Sequence, residues 1–78
     1  MDQRILEITA QICGIEIEDI TPELDLFEAG FLDSFGTLEL LVTLSEEFGV
    51  ELDAAEITRE EFSTITAIVA TVKKKKGV

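Results

Sequence analysis

The chain has 78 residues, 46% of them hydrophobic and 29% charged, a composition typical of a folded domain rather than of a disordered segment. So short a chain buries only one thin core, and the absence of His, Trp and Tyr removes the commonest general base and metal ligand. Its net charge of −11 would repel phosphate backbones. We therefore expect a single domain over residues 1–78 that is neither an enzyme nor a nucleic-acid binder.

Compartment signals are few and agree with one another. A lone cysteine, Cys13, cannot form an internal disulfide, and residues 1–4 lack the basic and apolar segments of a signal peptide. Every apolar run is shorter than the roughly 18–20 residues of a membrane span. These features predict a soluble, cytoplasmic protein without an integral membrane segment, and self-repulsion favours a monomer.

The first predicted helix covers residues 3–13. Ile5, Ile8 and Ile12 recur at helical spacing, Cys13 falls on the same apolar stripe as a small buried hydrophobe, and Gly14 is a natural end. Residues 15–20 then alternate between isoleucine and acidic residues, which would also suit a short strand. We reject the strand because no second strand-like segment exists to pair with it.

A long connection over residues 21–33 follows. It contains the only proline and enough apolar side chains to fold down over the core, namely Leu24, Leu26, Phe27, Phe31 and Leu32. Loops of this length are usually functional or well packed. We expect this one to deliver Asp33 and Ser34 to the start of the next helix in a defined position.

The remaining elements are helical. The second helix is predicted from about Ser34 to Phe48, ended by Gly49. Thr58 and Glu61 fit a capping box that opens a very short third helix, and Thr64 caps a last helix that ends in lysines 73–76. The last helix carries an apolar stripe of Ile65, Ile68, Val69 and Val72. The predicted fold is all-α, a small bundle of three main helices plus one short helix.

The second helix carries two apolar faces. One, suited to the core, consists of Thr37, Leu40, Leu41, Leu44 and Phe48; the other consists of Phe35, Leu38 and Val42. The second face either covers the long loop or forms an exposed binding strip. Glu39 and Glu46 stand beside it and the helix has no basic residue, so an exposed strip would suit a partner with an apolar groove edged by Arg and Lys.

Ser34 lies at the N-terminus of this helix and permits two interpretations. It is an ordinary N-cap residue, or its hydroxyl is a site of phosphate attachment, since the helix dipole and free N–H groups stabilise negative charge. Asp33 beside it would support such a site by holding a divalent metal or a basic group of a modifying enzyme.

Residues 27–41 read FEAGFLDSFGTLELL. This run resembles the phosphopantetheine attachment region of acyl, peptidyl and D-alanyl carrier proteins, whose core is Asp-Ser followed by a large apolar residue. The acidic second helix, its Glu-Glu-Phe ending and the start of the last helix at Thr64 extend the similarity over nearly the whole chain.

The resemblance implies an acyl-carrier-like bundle with 4′-phosphopantetheine covalently bound to Ser34, supported by Asp33, and cargo held as a thioester on its terminal thiol. It implies a non-catalytic carrier that a phosphopantetheinyl transferase modifies. Acyl or aminoacyl ligases, and downstream acyltransferases or synthases with basic surfaces, would then dock on the second helix. The docking residues would be Phe35, Leu38, Glu39, Val42 and Glu46.

The cargo is open between two classes. Residues 33–37 closely resemble D-alanyl carrier proteins of teichoic acid esterification, where Gly36 stands in a place that is often Asp in fatty-acid carriers. Residues 62–65 lack the Trp and Pro of D-alanyl carriers, and residues 51–62 are more similar to general acyl carriers. We predict a discrete acyl carrier of a fatty-acid, polyketide or related pathway, with a D-alanyl carrier as the alternative.

The residues exclude two other classes of protein, a serine hydrolase and a calcium sensor, and leave a third open. A serine hydrolase is excluded because a Ser-His-Asp triad cannot exist without His. A calcium loop begun at Asp25 would place Phe27 and Ala29 at ligand positions and Gly36 where a bidentate Glu belongs, so no metal site is expected. An acidic protein-docking module without any prosthetic group remains the alternative from another class.

Overall fold

The structure is a computed structural model that describes residues 2–77. Its elements, in chain order, are α1 (Asp2–Cys13), a first 3₁₀ turn (Ile17–Asp19), α2 (Ser34–Phe48), a second 3₁₀ turn (Arg59–Phe62) and α3 (Ile65–Lys76). The all-helical prediction is confirmed, since residues 2–77 contain no strand. The rejection of a strand for residues 15–20 is also confirmed, because this segment contains the first 3₁₀ turn.

The helix boundaries follow the predicted start and stop signals. The second helix has the predicted bounds, and α1 begins one residue earlier than predicted. Gly49 ends α2 in the left-handed region at φ 65°, where its N–H donates to the Ser45 carbonyl at 2.9 Å. Val50 donates to the same carbonyl at 3.2 Å, which completes the turn away from the helix.

The core lies where the three helices meet. Its fully or nearly fully buried apolar residues are Ile5, Ile8, Ala10, Ile20, Leu26, Leu32, Leu40, Leu41, Leu44, Phe62, Ile65, Ile68 and Val72. The three leucines of the predicted core face of α2 and most of the predicted stripe of α3 are among them, whereas Thr37, Phe48 and Val69 are only partly buried. Helix stability in so small a domain comes mainly from this shared burial.

The long connection folds over the core as predicted, with one exception. Leu26 is completely buried and Leu32 nearly so, and the Leu26 N–H donates to the Ser63 carbonyl at 2.7 Å. The Pro22 carbonyl accepts from the Thr66 N–H at 3.2 Å, which fixes the loop to the start of α3. Phe31 is 37% exposed, so its prediction as a core residue is wrong. The loop is thus attached at two points before it reaches Asp33.

The lysines at the end of α3 form contacts with both other helices. Lys76 Nζ donates to the Phe48 carbonyl at 3.0 Å, and Lys73 Nζ lies 3.3 Å from Asp2 Oδ1. Lysines here also complement the C-terminal end of the α3 dipole, as predicted. Within residues 2–77, no helix combines the length and apolar character needed to cross a membrane.

The capping box of the second 3₁₀ turn gives the fold a testable pH dependence. The Thr58 N–H donates to Glu61 Oε1 at 2.8 Å, and this hydrogen bond lowers the pKa of Glu61 from its ordinary 4.5. A carboxylate whose pKa falls on folding adds stability above its unfolded pKa and loses it as the pH falls through the folded pKa. Glu61→Gln should therefore be less stable than the parent at neutral pH.

The difference in unfolding free energy between parent and Glu61→Gln should shrink as the pH drops below about 4.5, because Glu61 then becomes neutral like glutamine. Urea denaturation of both proteins at neutral and acidic pH measures this difference. A difference in unfolding free energy that stays constant between neutral and acidic pH would show that the Glu61 charge does not stabilise the turn.

Candidate functional site

Ser34 is the first residue of α2, and its neighbour Asp33 caps the helix. Asp33 Oδ1 accepts from the Gly36 N–H at 2.7 Å, and the Asp33 carbonyl accepts from the Thr37 N–H at 2.8 Å and from the Thr37 hydroxyl at 2.7 Å. The interpretation of Ser34 as the N-cap is therefore wrong. Asp33 takes that position because its extended backbone and short carboxylate reach the Gly36 N–H.

The side chain of Ser34 is left free by this arrangement. It is exposed, and within residues 2–77 its hydroxyl makes no hydrogen bond. The N-terminal end of α2 carries the positive end of the helix dipole, which favours a negatively charged substituent. An exposed, unbonded hydroxyl at this position fits an esterified phosphate.

Gly36 allows the Asp33 cap to lie close to the helix. A Cβ built on Gly36 would lie 3.3 Å from Asp33 Oδ1 and 3.4 Å from Leu32 Cδ1. The first distance is slightly tighter than ordinary van der Waals contact and the second is at its lower limit, so a larger residue would shift the capping carboxylate by a few tenths of an ångström. A glycine at this position therefore helps to hold the backbone that carries Ser34.

The cap itself can be tested by substitution. Asp33→Ala removes the acceptor for the Gly36 N–H and should lower the free energy of unfolding by about 0.5–2 kcal/mol, as measured by urea denaturation. Asp33→Asn is the matched control, because asparagine caps helices about as well as aspartate. Equal stability of the alanine variant and the parent would contradict a capping role for Asp33.

The second apolar face of α2 is exposed. Phe35, Leu38 and Val42 have 77%, 52% and 57% of their surface exposed, so they form a binding strip rather than a cover for the long loop. Glu39 and Glu46 are exposed along the same helix. Three large apolar side chains on one helix face, flanked by carboxylates, are typical of a protein-docking surface.

Glu47, further round α2, has a different role. Arg4 of α1 donates to both of its carboxylate oxygens, at 3.1 and 3.3 Å. This contact raises the pKa of Arg4 and joins α1 to α2. The carboxylates beside the strip thus remain open to a partner, while Glu47 is used within the fold.

A groove of about 630 Å³ opens beside Ser34. Its lining includes Ser34, Leu38, Phe27, Ile57, Arg59 and Phe62. The Arg59 guanidinium carbon lies 4.6 Å from the centre of the Phe27 ring, a cation–π contact. Sequence reasoning missed this groove, because it is formed by residues from three separate segments. The one available signal was Arg59, because Arg59 and Arg4 are the only two basic residues before the lysines.

Cys13 is separate from these features. It is half-buried at the end of α1, and this burial raises the pKa of its thiol. A raised pKa keeps the thiol protonated and poorly nucleophilic. The prediction that Cys13 acts as a small hydrophobe fits this environment.

Nearly the whole chain is similar to known proteins. Residues 3–72 match the family model described as a phosphopantetheine attachment site. The chain is 39% identical over 67 residues to the D-alanyl carrier protein of Bacillus velezensis, which covers 86% of each chain. It is 39% identical over 70 residues to the D-alanyl carrier protein of Lacticaseibacillus casei, covering 90% of this chain and 86% of that one. The D-alanyl carrier protein of Streptococcus uberis is 36% identical over 74 residues, covering 95% and 92%.

Proposed function

This chain belongs to the phosphopantetheine attachment-site family, and from that membership we propose that it is a D-alanyl carrier protein with its prosthetic group on Ser34. Members of the family are non-catalytic carriers, and the domain implies covalently attached 4′-phosphopantetheine. The observation that supports Ser34 as the attachment point is its exposed hydroxyl, which is unbonded within residues 2–77, at the N-terminus of α2 and beside the strip.

Attachment is a phosphoryl-type transfer to the Ser34 Oγ. A bond forms between Oγ and the phosphorus of coenzyme A, the diphosphate P–O bond breaks, and adenosine 3′,5′-bisphosphate leaves. The hydroxyl proton passes to a base of the transferase, because no side chain among residues 2–77 is hydrogen-bonded to the Ser34 hydroxyl to accept it. When bound, the group supplies a thiol on a flexible arm, and Ser34 fixes where that arm begins.

The strip of α2 would present Ser34 to partner enzymes. Phe35, Leu38 and Val42 supply apolar contact area, while Glu39 and Glu46 attract basic residues and speed association. The partners proposed are a phosphopantetheinyl transferase, a ligase that loads the cargo and enzymes that receive it. A carrier must leave each partner readily, so we expect modest affinity and fast dissociation.

The similar proteins favour D-alanine over an acyl chain as the cargo. The relatives from Bacillus, Lacticaseibacillus and Streptococcus are all D-alanyl carrier proteins, with 36–39% identity over most of this chain. The acyl carrier predicted first from residues 51–65 is thus less well supported than its D-alanyl alternative. Residues 33–37 were the local signal for the latter.

Intact-mass spectrometry tests both levels of the proposal. Incubation with coenzyme A, magnesium and a promiscuous phosphopantetheinyl transferase should add the mass of one 4′-phosphopantetheine group. The loaded protein is then offered D-alanine with an aminoacyl ligase and ATP, or a fatty acid with an acyl ligase and ATP. A further gain of one alanyl group supports the D-alanyl carrier, whereas acylation alone would reject it in favour of the acyl carrier.

Phe35→Ala tests the strip. Truncation of a central aromatic contact should raise the Kd for the transferase about tenfold or more, as measured by titration calorimetry. The melting temperature should stay nearly unchanged, because Phe35 is 77% exposed. Phe31→Ala is the matched control, since Phe31 is partly exposed but lies in the loop outside α2. Equal weakening by both variants would argue against a docking role for the strip.

A further inference from the structure

Arg59 is a cation without a carboxylate partner in a strongly acidic molecule. Within residues 2–77 it makes no salt bridge, although the chain has 17 acidic residues, whereas Arg4 binds both Glu7 and Glu47. The Arg59 guanidinium lies instead against the Phe27 ring. Stacking on a ring leaves the edge of the guanidinium, with its N–H donors, available for an oxygen anion.

The position of Arg59 relates this cation to Ser34. Both residues line the same groove of about 630 Å³, together with apolar walls from Leu38, Ile57 and Phe27. A ligand suited to the groove would have an anionic oxygen group near an apolar segment. 4′-Phosphopantetheine has this order of groups, because its phosphate is joined through one methylene to a carbon that bears two methyl groups in its pantoyl segment.

We propose that the groove is the resting site of the prosthetic arm, in which Arg59 binds the phosphate and the apolar walls hold the pantoyl methyl groups. This inference rests on the proposed attachment at Ser34. Because the arm is tethered to a residue of the groove itself, its effective concentration there is high and weak contacts suffice. Arg59 is exposed, so its contact with the phosphate shifts the balance between resting and free arm only roughly 1.5- to 5-fold.

Weak retention also suits a carrier. An arm held by a few exposed contacts is released as soon as a partner offers a better site, and between partners it is kept against the domain. Arg59 is therefore a positioning residue for the arm, acting on the population of its resting state rather than on any reaction.

Nuclear magnetic resonance of ¹⁵N-labelled protein before and after loading tests the proposal. Loading is first confirmed by intact mass. The backbone amides of Phe27, Ile57 and Arg59, and the Arg59 Nε–H, should then change chemical shift between the unloaded and loaded forms. The Arg4 Nε–H, which is held by Glu47 at 3.1 Å, should not change. Contacts between the pantoyl methyl protons and the Phe27 ring protons should appear only in the loaded form.

Arg59→Gln and Arg4→Gln form a matched pair, since each removes one positive charge. Each protein is loaded and its mass checked before spectra are recorded. Arg59→Gln should reduce the loading-dependent shifts at Ile57 by a factor of up to about 5, while Arg4→Gln should leave them as in the parent. Complete loading with unchanged groove resonances would overturn the resting site alone, whereas failure of a folded parent protein to gain mass would overturn the attachment and with it this inference.

Discussion

Ser34→Ala should abolish attachment of phosphopantetheine completely. Alanine has no hydroxyl to form the phosphate ester, and no neighbouring side chain can substitute, because Asp33 carries a carboxylate and the Thr37 hydroxyl is donated to the Asp33 carbonyl at 2.7 Å. Intact mass after incubation with coenzyme A and the transferase should show no gain. Cargo loading should fail as well.

The fold should survive this change, which makes the result interpretable. Asp33, not Ser34, caps α2, so the alanine variant keeps the cap and its unfolding free energy should stay within about 0.5 kcal/mol of the parent. Ser45→Ala is the matched control, because it removes a hydroxyl from the same helix but should still gain the full mass. A mass gain on Ser34→Ala would place the attachment on another residue and contradict the proposed role of Ser34.

Phe62→Ala should produce the largest loss of stability. Phe62 has none of its surface exposed and lies in the core between the second 3₁₀ turn and the helices. Truncating a buried phenylalanine to alanine costs about 3–5 kcal/mol. A domain of this size has a total stability on the order of 4–12 kcal/mol, so the variant should be close to unfolding at room temperature.

Urea denaturation followed by circular dichroism measures this loss, and Phe35→Ala is the comparison. It makes the same chemical change at a position that is 77% exposed, so it should cost little. Phe62→Leu, which leaves a smaller cavity, should fall between the two. Equal stability of the two alanine variants would mean that Phe62 does not anchor the core.

The helices could be predicted because their signals are local. Gly49 with its following valine, the capping box of Thr58 and Glu61, and Thr64 as an N-cap each specify a boundary within a few residues, and each is found where predicted. The exposed strip could be predicted as one of two alternatives, since an outer helix of a small bundle needs only one apolar face for the core. What remained open was whether the second face covers the long loop or is exposed.

The features that sequence reasoning missed depend on contacts between distant segments. Asp33 or Ser34 caps α2 according to which of the two residues has an extended backbone. The hydrogen bonds that attach the loop at Leu26 and Pro22 help to set this conformation. The groove requires Phe27, Ser34 and Arg59 to meet, although up to 32 residues separate them. Phe31 was predicted to be buried because it is apolar, but the neighbouring Leu26 and Leu32 occupy the core instead.

The lysine contacts of α3 lie at the far end of α2 from Ser34. Lys76 binds the carbonyl of Phe48, the last residue of the helix that Ser34 begins, and 15 residues of helix place the two ends about 21 Å apart. This distance is greater than the Debye length at physiological salt, about 8 Å. Acetylation of these lysines can therefore weaken the contacts at this end of the bundle, while the charge environment of Ser34 at the other end stays the same. The stability of the fold and the recognition of Ser34 by partner enzymes can therefore be changed independently of each other.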